Sequence, residues 1–191
     1  MRYVAYEPSP KDRPPRAALA VRLTDRVGDV AECARLSAVY NEEDPRTALV
    51  NAQNHVTQPR NALFVATNPV GTVVGYARVT WVGPSRAEAD NAAPPGYYLG
   101  GMVVSGQYRR RGVGTRLTTV RLRFVTERAN EAWYVVNGAN DASIDLHVAH
   151  GFHETTRDFT FPGVVIDGPD SILCHKPFND RAQPCQGCPT S

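Results

Sequence analysis

The sequence lacks any long apolar run. Nowhere do about eighteen apolar residues follow one another, and the first residues, Met1 to Pro8, carry no apolar core of signal length. These absences argue against a membrane-spanning helix and a secretory leader. We therefore expect a cytoplasmic protein without a membrane partner.

The sequence also has little excess of positive over negative charge. The formal net charge is +2, and no run of like charge exceeds Arg109 to Arg111. So small an excess does not indicate a nucleic-acid surface and favours a small-molecule partner. With 191 residues, 42% of them hydrophobic, the chain can fill one core but hardly two.

Cysteine is rare, and its placement is uninformative for metal binding. Of the four cysteines, Cys33 and Cys174 lie in periodic segments, and Cys185 and Cys188 form a C-x-x-C in a tail rich in Pro, Gln and Gly. A structural zinc site needs four ligands, so the tail pair would have to recruit two more. A separate metal site could be suggested by His147, His150 and His153. Gly151 ends the helix that carries the first two, His153 would enter the next strand, and no well-placed carboxylate completes the set. We expect no metal.

What the sequence does contain is a strand, a basic glycine-rich turn and a helix in direct succession between Tyr97 and Arg128. Apolar residues after the turn fall at helical spacing, at Val113, Leu117, Val120 and Phe124. A turn of this kind presents free N–H groups and the positive end of a helix dipole to one point. Neither standard nucleotide-binding signature is present. With three arginines beside the turn, the expected ligand is a di- or polyphosphate.

The turn reads Arg109-x-x-Gly112-x-Gly114. It resembles the Gln/Arg-x-x-Gly-x-Gly/Ala acyl-CoA signature of the GNAT superfamily of N-acetyltransferases, with Gly106 in place of the customary proline. The resemblance implies that backbone N–H groups from Arg110 to Thr115 hold the pyrophosphate of acetyl-CoA. It also implies that the strand before the turn pairs with the pantetheine arm and polarises the thioester carbonyl. The implied cofactor-binding residues are Met102, Val103, Val104, Arg109, Arg110, Arg111, Gly112, Val113, Gly114 and Thr115.

A second stretch, from Asn140 to Phe152, resembles the GNAT motif Asn-x-x-Ala-x-x-Leu-Tyr-x-x-x-Gly-Phe. Asn140 and Ser143 match positions that approach pantetheine in that family. His147 stands where the family has the tyrosine that protonates the departing thiolate, and an imidazole can serve as such an acid. A structural, hydrogen-bonding role for His147 is the alternative.

The acceptor implied by the resemblance is an amine, attacked directly in a ternary complex, with a small molecule favoured over a protein. Glu42 and Glu43 are candidate substrate residues, because an acidic connection between the first two helices would attract a cationic amine. Helix capping is their alternative role. Tyr98, Tyr97 and His55 are further candidates for the base, and a base acting through water is also possible. A non-catalytic acyl-CoA sensor of the same fold, and acylation of oxygen or with a longer acyl group, also remain open.

The pattern of elements predicts an α/β (α+β) fold with the order β-α-α-β-β-β-α-β-α-β-β, about seven strands in a mixed sheet and helices on both faces. We expect an irregular arm over 1–16, one GNAT domain over 17–177 and a flexible tail over 178–191. Thr24 or Asp25 should cap the first helix, and Asp44 with Pro45 should start the second. The apolar loop 159–170 is expected either to cover the acceptor site or to pack against a second subunit in a homodimer.

Overall fold

A computed structural model describes residues 15–84, 90–161 and 170–178. Seven strands and four helices follow one another in the predicted order, with one 3₁₀ turn between β4 and α3. The elements are β1 (Ala20–Leu23), α1 (Val27–Asn41), α2 (Pro45–Thr57), β2 (Ala62–Thr67), β3 (Val73–Val82), β4 (Gly96–Val104), the 3₁₀ turn (Gly106–Tyr108), α3 (Val113–Thr126), β5 (Glu131–Asn137), α4 (Asp141–Val148), β6 (His153–Thr156) and β7 (Ser171–Pro177).

The strands form one sheet in the order β1-β2-β3-β4-β5-β7-β6. Within the described residues, β4 and β5 are the one parallel pair of neighbours, and the other neighbours are antiparallel. The predicted mixed sheet is confirmed. Its parallel pair lies at the centre of the sheet, between two antiparallel halves.

Alternation along β2 divides the core between the two faces of the sheet. Leu63 and Val65 pack against α1 and α2 on one face, and Phe64 and Ala66 pack with α3 on the other. All four side chains are buried. Fully burying a large apolar side chain contributes about 1.5 to 3 kcal/mol, so this alternation fixes which face each helix covers. Helices on both faces were predicted, and the structure confirms them.

Of the two predicted helix starts, that of α2 is confirmed and that of α1 is wrong. Asp44 caps α2 as predicted, its carboxylate accepting from Thr47 N at 2.9 Å, with Pro45 in the first position. The predicted cap of α1 is wrong: Arg26 occupies the N-cap position and its side chain makes no capping bond. The buried Thr24 hydroxyl instead donates to Asp29 in the first turn of α1, at 2.5 Å.

Several sequence predictions concern residues outside the described ranges. Most of the 1–16 arm, the tail after Phe178 with both of its cysteines, and residues 85–89 and 162–169 of the two long loops lie outside the described residues. The short strand β6 ends at Thr156, whose hydroxyl accepts from Asp158 N in a turn. No helix in the described ranges is both long enough and apolar enough to cross a membrane.

Candidate active site

The two parallel strands in the middle of the sheet pair over a short stretch. In the described part of the chain, one residue pair, Tyr98 with Trp133, joins β4 and β5, and no pairing continues beyond it. We call the unpaired region between the two strands beyond this residue pair the cleft. β4 continues to pair with β3 as far as Val104. Its edge towards β5 therefore has no strand partner from Gly100 onward, and an extended ligand could add to that edge as a strand does.

Two helices begin at the carboxyl ends of these separating strands. β4 leads through the turn into α3, which starts at Val113, and β5 leads into α4, which starts at Asp141. A crevice outside the carboxyl ends of parallel strands is where open α/β sheets bind ligands. Both helix N-termini contribute positive partial charge there.

The turn before α3 contains two residues with a left-handed backbone. Gly112 adopts a φ of +83° and Arg110 a φ of +61°. Arg116 N donates to Gly112 O at 3.1 Å, the first bond of the helix ladder. The N–H groups of Val113, Gly114 and Thr115 consequently have no acceptor within the described residues. They are available to an anion, and the binding of pyrophosphate there remains a prediction.

Gly114 serves close packing. A Cβ atom at this position would lie 3.3 Å from Leu146 Cδ2 and 3.6 Å from Met102 Cε. The missing side chain therefore lets the first turn of α3 approach both α4 and β4. This brings the two helix N-termini and the free edge of β4 around one cleft.

Arg109 connects the turn to the end of β4 and to α1. Its Nε donates to Val104 O at 3.0 Å, and its guanidinium carbon lies 5.1 Å from the centre of the Tyr40 ring. Sequence reasoning expected Arg109 to neutralise phosphate, and the structure commits its Nε to the end of β4. The phosphate role of its remaining N–H groups stays a prediction.

Gly106, which replaces a proline of the motif, uses the N–H that a proline would lack. Gly106 N donates to the Tyr40 hydroxyl at 2.8 Å, and Ser105 Oγ lies 3.3 Å from the same oxygen. Hydrogen bonds from Ser105 and then Gly106 lower the pKa of the Tyr40 phenol. The sequence motif did not reveal Tyr40, because it lies on α1, far away in the chain.

The predicted pantetheine residues on α4 have structural partners. Asn140 caps the helix by accepting from Ser143 N at 3.3 Å. Ser143 Oγ is hydrogen-bonded to the Tyr134 hydroxyl of β5. These contacts fix the start of α4 beside the cleft, and direct contact of either residue with pantetheine remains a prediction.

His147 lies in the core, 2% exposed, and stacks on Tyr134 with ring centroids 3.7 Å apart. Its Nδ1–H donates to Ser143 O at 2.8 Å, because a carbonyl can only accept. Nε2 is then the unprotonated nitrogen, and it lies 3.5 Å from Arg121 Nη2. Burial, and then the charge of Arg121, lower the pKa of His147 to about 3. These contacts favour a structural role over proton donation, and the acid role stays a prediction.

On the opposite side of the sheet from α3, a cavity of about 400 Å³ lies between α1, α2 and the strands. Its walls combine apolar and polar side chains from five elements or connections: Cys33, Ala34, Ser37, Asn41, Glu43, Ala48, Asn51, Ala52, His55, Leu63, Tyr76 and Arg78. The volume is within the range of small-molecule sites.

Glu43 is the carboxylate of this cavity. Ser37 Oγ and Asn51 Nδ2 each donate to one of its carboxylate oxygens, both at 2.7 Å. The neighbouring Glu42 is the exposed C-cap of α1, with a φ of 54°, and does not line the cavity. The structure thus separates two residues that sequence reasoning had treated alike.

Of the other candidate bases, Tyr98 and His55 have hydrogen-bonded polar atoms, and Tyr97 packs with aromatic side chains. The Tyr98 hydroxyl donates to Pro94 O at 2.7 Å, and burial raises the pKa of that phenol. Tyr97 packs against Trp81 and Phe124 on the α3 face. His55 Nε2 donates to Ala62 O at 3.1 Å, and burial lowers the pKa of its imidazole. Within the described ranges, no three His, Cys, Asp or Glu side chains are arranged to hold a metal ion.

Sequence comparison adds to this geometry. A sequence model of the acetyltransferase (GNAT) family matches residues 24–152. The chain belongs to this family. It is an acyltransferase of the GNAT superfamily, which confirms the enzyme class expected from the two motifs.

Relatives within the superfamily are distant. An N-alpha-acetyltransferase from Sulfurisphaera tokodaii is 29% identical over 128 residues, which are 65% of this chain and 74% of that protein. Solved structures show the same fold at 18% identity. An aminoglycoside antibiotic 6'-N-acetyltransferase, AAC(6')-Ih, from Acinetobacter baumannii has a TM-score of 0.63 and covers 78% of this chain and 99% of its own. A phosphinothricin acetyltransferase from Sinorhizobium meliloti, in complex with acetyl-CoA, also has a TM-score of 0.63. The match covers 84% of this chain and 88% of that protein.

Some residues of the cavity were missed by sequence reasoning. Arg78, Tyr76, Ser37 and Asn51 line the cavity and belong to neither motif. Alternation along β3 places Tyr76 and Arg78 on one face, a signal that the sequence does contain. What the sequence does not show is that this face closes a cavity together with α1 and α2.

Proposed function

We propose that this GNAT protein transfers an acetyl group from acetyl-CoA to a primary amine of a small molecule, by direct attack in a ternary complex. The observation that carries the proposal is the position of the cleft. It opens at the carboxyl ends of two parallel strands and lies beside a bulge in β4, at Gly100 and Gly101, that borders the cavity residue Arg78. A donor in the cleft and an acceptor in the cavity would meet there.

On the donor side, the N–H groups of Val113 to Thr115 would bind the pyrophosphate, and the edge of β4 would pair with the pantetheine amides. An N–H of Val103 or Val104 would stabilise the negative charge that develops on the thioester oxygen. Such oxyanion contacts are usually worth 10² to 10³ in rate, roughly, when one donor is removed. Solved structures of similar proteins with acetyl-CoA bound support this choice of donor.

On the acceptor side, Glu43 would take the proton that an ammonium must lose before attack. Its carboxylate is oriented by Ser37 and Asn51, which leaves its remaining lone pairs to the ligand. The amine nitrogen then forms a bond to the carbonyl carbon and releases its excess proton to solvent, the carbon–sulfur bond breaks, and the sulfur leaves as CoA thiolate. A proton from solvent, or from His147 if the sequence prediction holds, completes the thiol.

Cys33 in the cavity wall does not offer a covalent route. It is 1% exposed, and burial raises the pKa of its thiol to about 12. A thiol that remains protonated at neutral pH is a poor nucleophile. Direct transfer therefore needs no acyl-enzyme, and positioning the two substrates supplies much of the rate.

Two measurements test the proposal. Isothermal titration with acetyl-CoA tests donor binding, and release of CoA thiol with a panel of primary amines tests transfer. Glu43→Gln should lower kcat about 10²-fold or more, with acetyl-CoA affinity unchanged. Glu42→Gln, the exposed neighbour, is the matched control and should retain activity.

The alternative function, an acyl-CoA sensor, makes the opposite prediction. It requires tight acetyl-CoA binding with no thiol release for any amine in the panel. Acylation of a hydroxyl would appear as thiol release with alcohols in place of amines. The cytoplasmic location, the single domain over 17–177 and a homodimer remain predictions of the sequence.

A further inference from the structure

Arg78 places an unpaired guanidinium in the acceptor cavity. Its side chain is half-buried and extends over Gly101, where a Cβ atom would lie 2.4 Å from Arg78 Nη2. Within the described residues, its guanidinium forms no hydrogen bond or ion pair with another side chain. A guanidinium that lines a cavity without a counter-ion can pair with an anionic group of a ligand that enters the cavity.

The same cavity contains a carboxylate that also lacks a counter-ion. Both oxygens of Glu43 accept neutral hydrogen bonds, from Ser37 and Asn51, and no described cation forms an ion pair with it. Arg78 and Glu43 both act electrostatically on Tyr76, which lies in the cavity wall with them. One cavity therefore presents a fixed positive and a fixed negative group to its occupant.

From this charge arrangement, and resting on the function proposed above, we propose that the acceptor is a free amino acid. Its carboxylate would bind the Arg78 guanidinium, and its ammonium would face Glu43. The position of Arg78 over Gly101 would set the carboxylate beside β4, two residues before Val103, whose N–H is a candidate to bind the thioester oxygen. In an α-amino acid the amine is two bonds from the carboxylate carbon, so the nucleophile is held near the same point.

The choice of a free amino acid over a peptide amino terminus follows from the same residue. In a peptide the first residue has an amide in place of the carboxylate and cannot form a charged, two-point contact with a guanidinium. A cavity of about 400 Å³ between two helices and the sheet also suits a small solute. The α-carboxamide of an amino acid is a close mimic of a peptide amino terminus, so the two acceptor classes can be compared with almost identical molecules.

The experiment compares the common amino acids with their α-carboxamides as acceptors, by thiol release at saturating acetyl-CoA. At least one amino acid should be acetylated with a kcat/KM about tenfold or more above that of its carboxamide, the value expected for one charged hydrogen-bonding pair. Equal values, or a preference for the carboxamide, would overturn the inference and indicate a peptide or simple amine acceptor.

Arg78→Met tests which residue produces the preference. This variant should abolish the preference for the amino acid by raising the KM of the amino acid, while the kcat/KM for the carboxamide changes little. Arg78→Lys should restore part of the preference, because it keeps the charge but not the planar fork. Arg123→Met, an exposed arginine on α3, is the control for loss of one positive charge and should behave as the wild type. A preference that survives in Arg78→Met would contradict the assignment.

The outcomes separate this inference from the proposed function. Turnover of simple amines without turnover of amino acids refutes the inference and leaves the acetyltransferase assignment intact. Acetyl-CoA binding with no turnover of any amine refutes both. If Arg78→Met does not fold, the comparison of acids with carboxamides in the wild type still decides the acceptor class.

Discussion

Arg121 and His147 meet inside the protein, with 3.5 Å between Arg121 Nη2 and His147 Nε2. Arg121 is 1% exposed and donates to Gly100 O and Thr118 Oγ1 at 3.3 and 3.0 Å. Burial lowers its pKa to about 10, so it is still charged at neutral pH. The charge faces a ring nitrogen that must stay unprotonated, which links the state of His147 to a buried cation.

The first prediction concerns stability against pH. The pKa of His147 is about 3 in the folded protein and about 6.5 when unfolded, so the unfolded state binds the proton more tightly. The stability conferred by the neutral ring is complete above about pH 6.5 and is lost as the pH falls towards 3. Lowering the pH from about 7 to about 5 should remove on the order of 2 kcal/mol.

Urea unfolding at the two pH values, in wild type and His147→Phe, measures this contribution. The loss should be smaller in the variant, which has no group to titrate at this position. An equal loss in both proteins would show that His147 is not the group responsible.

The second prediction concerns turnover in His147→Phe. Phenylalanine preserves the stack on Tyr134 but loses the bond to Ser143 O, so the free energy of unfolding should fall by about 1 to 3 kcal/mol. If the role is structural, kcat should change less than tenfold. A loss of 10²-fold or more, in a folded variant with unchanged acetyl-CoA affinity, would establish the acid role predicted from the sequence.

The third prediction concerns the turn before α3. Gly112→Val puts a β-branched residue at a φ of +83° and should weaken acetyl-CoA binding about tenfold or more by moving the adjacent N–H groups. Gly71→Val is the matched control, because Gly71 has a φ of +86° in a turn between β2 and β3. Both variants should lose stability, but the control should retain its affinity in calorimetric titration. Unchanged affinity in Gly112→Val would exclude the turn as the phosphate site.

The fourth prediction concerns Cys33. Its buried, protonated thiol takes no part in direct transfer, so Cys33→Ala should keep kcat within about threefold. Intact-protein mass spectrometry after mixing with acetyl-CoA alone should show no acetylated enzyme. A stoichiometric acetyl adduct in wild type that is absent from Cys33→Ala would instead indicate a covalent intermediate.

Much of the fold could be predicted from the sequence, because its signals are local. The spacing from Val113 to Phe124 defines α3, Asp44 and Pro45 define the start of α2, and the largely apolar run from Leu63 to Thr67 indicates β2. The cap of α1 could not be predicted, because the Thr24 hydroxyl could bond either to the backbone at the helix start or to a side chain. In the structure it bonds to Asp29, which also pairs with Arg22.

The sequence by itself determined the order of elements and the place of the turn, since helical periodicity and glycine φ requirements act over a few neighbouring residues. Only the tertiary structure decided which polar side chains share a cavity. Glu42 and Glu43 are adjacent in the chain, yet only Glu43 lies in the cavity, where it joins Arg78 from β3. The same holds for His147, whose neutral state follows from its burial and then from Arg121 on another helix. Burial and charge depend on residues that are distant in sequence, and only packing brings them together.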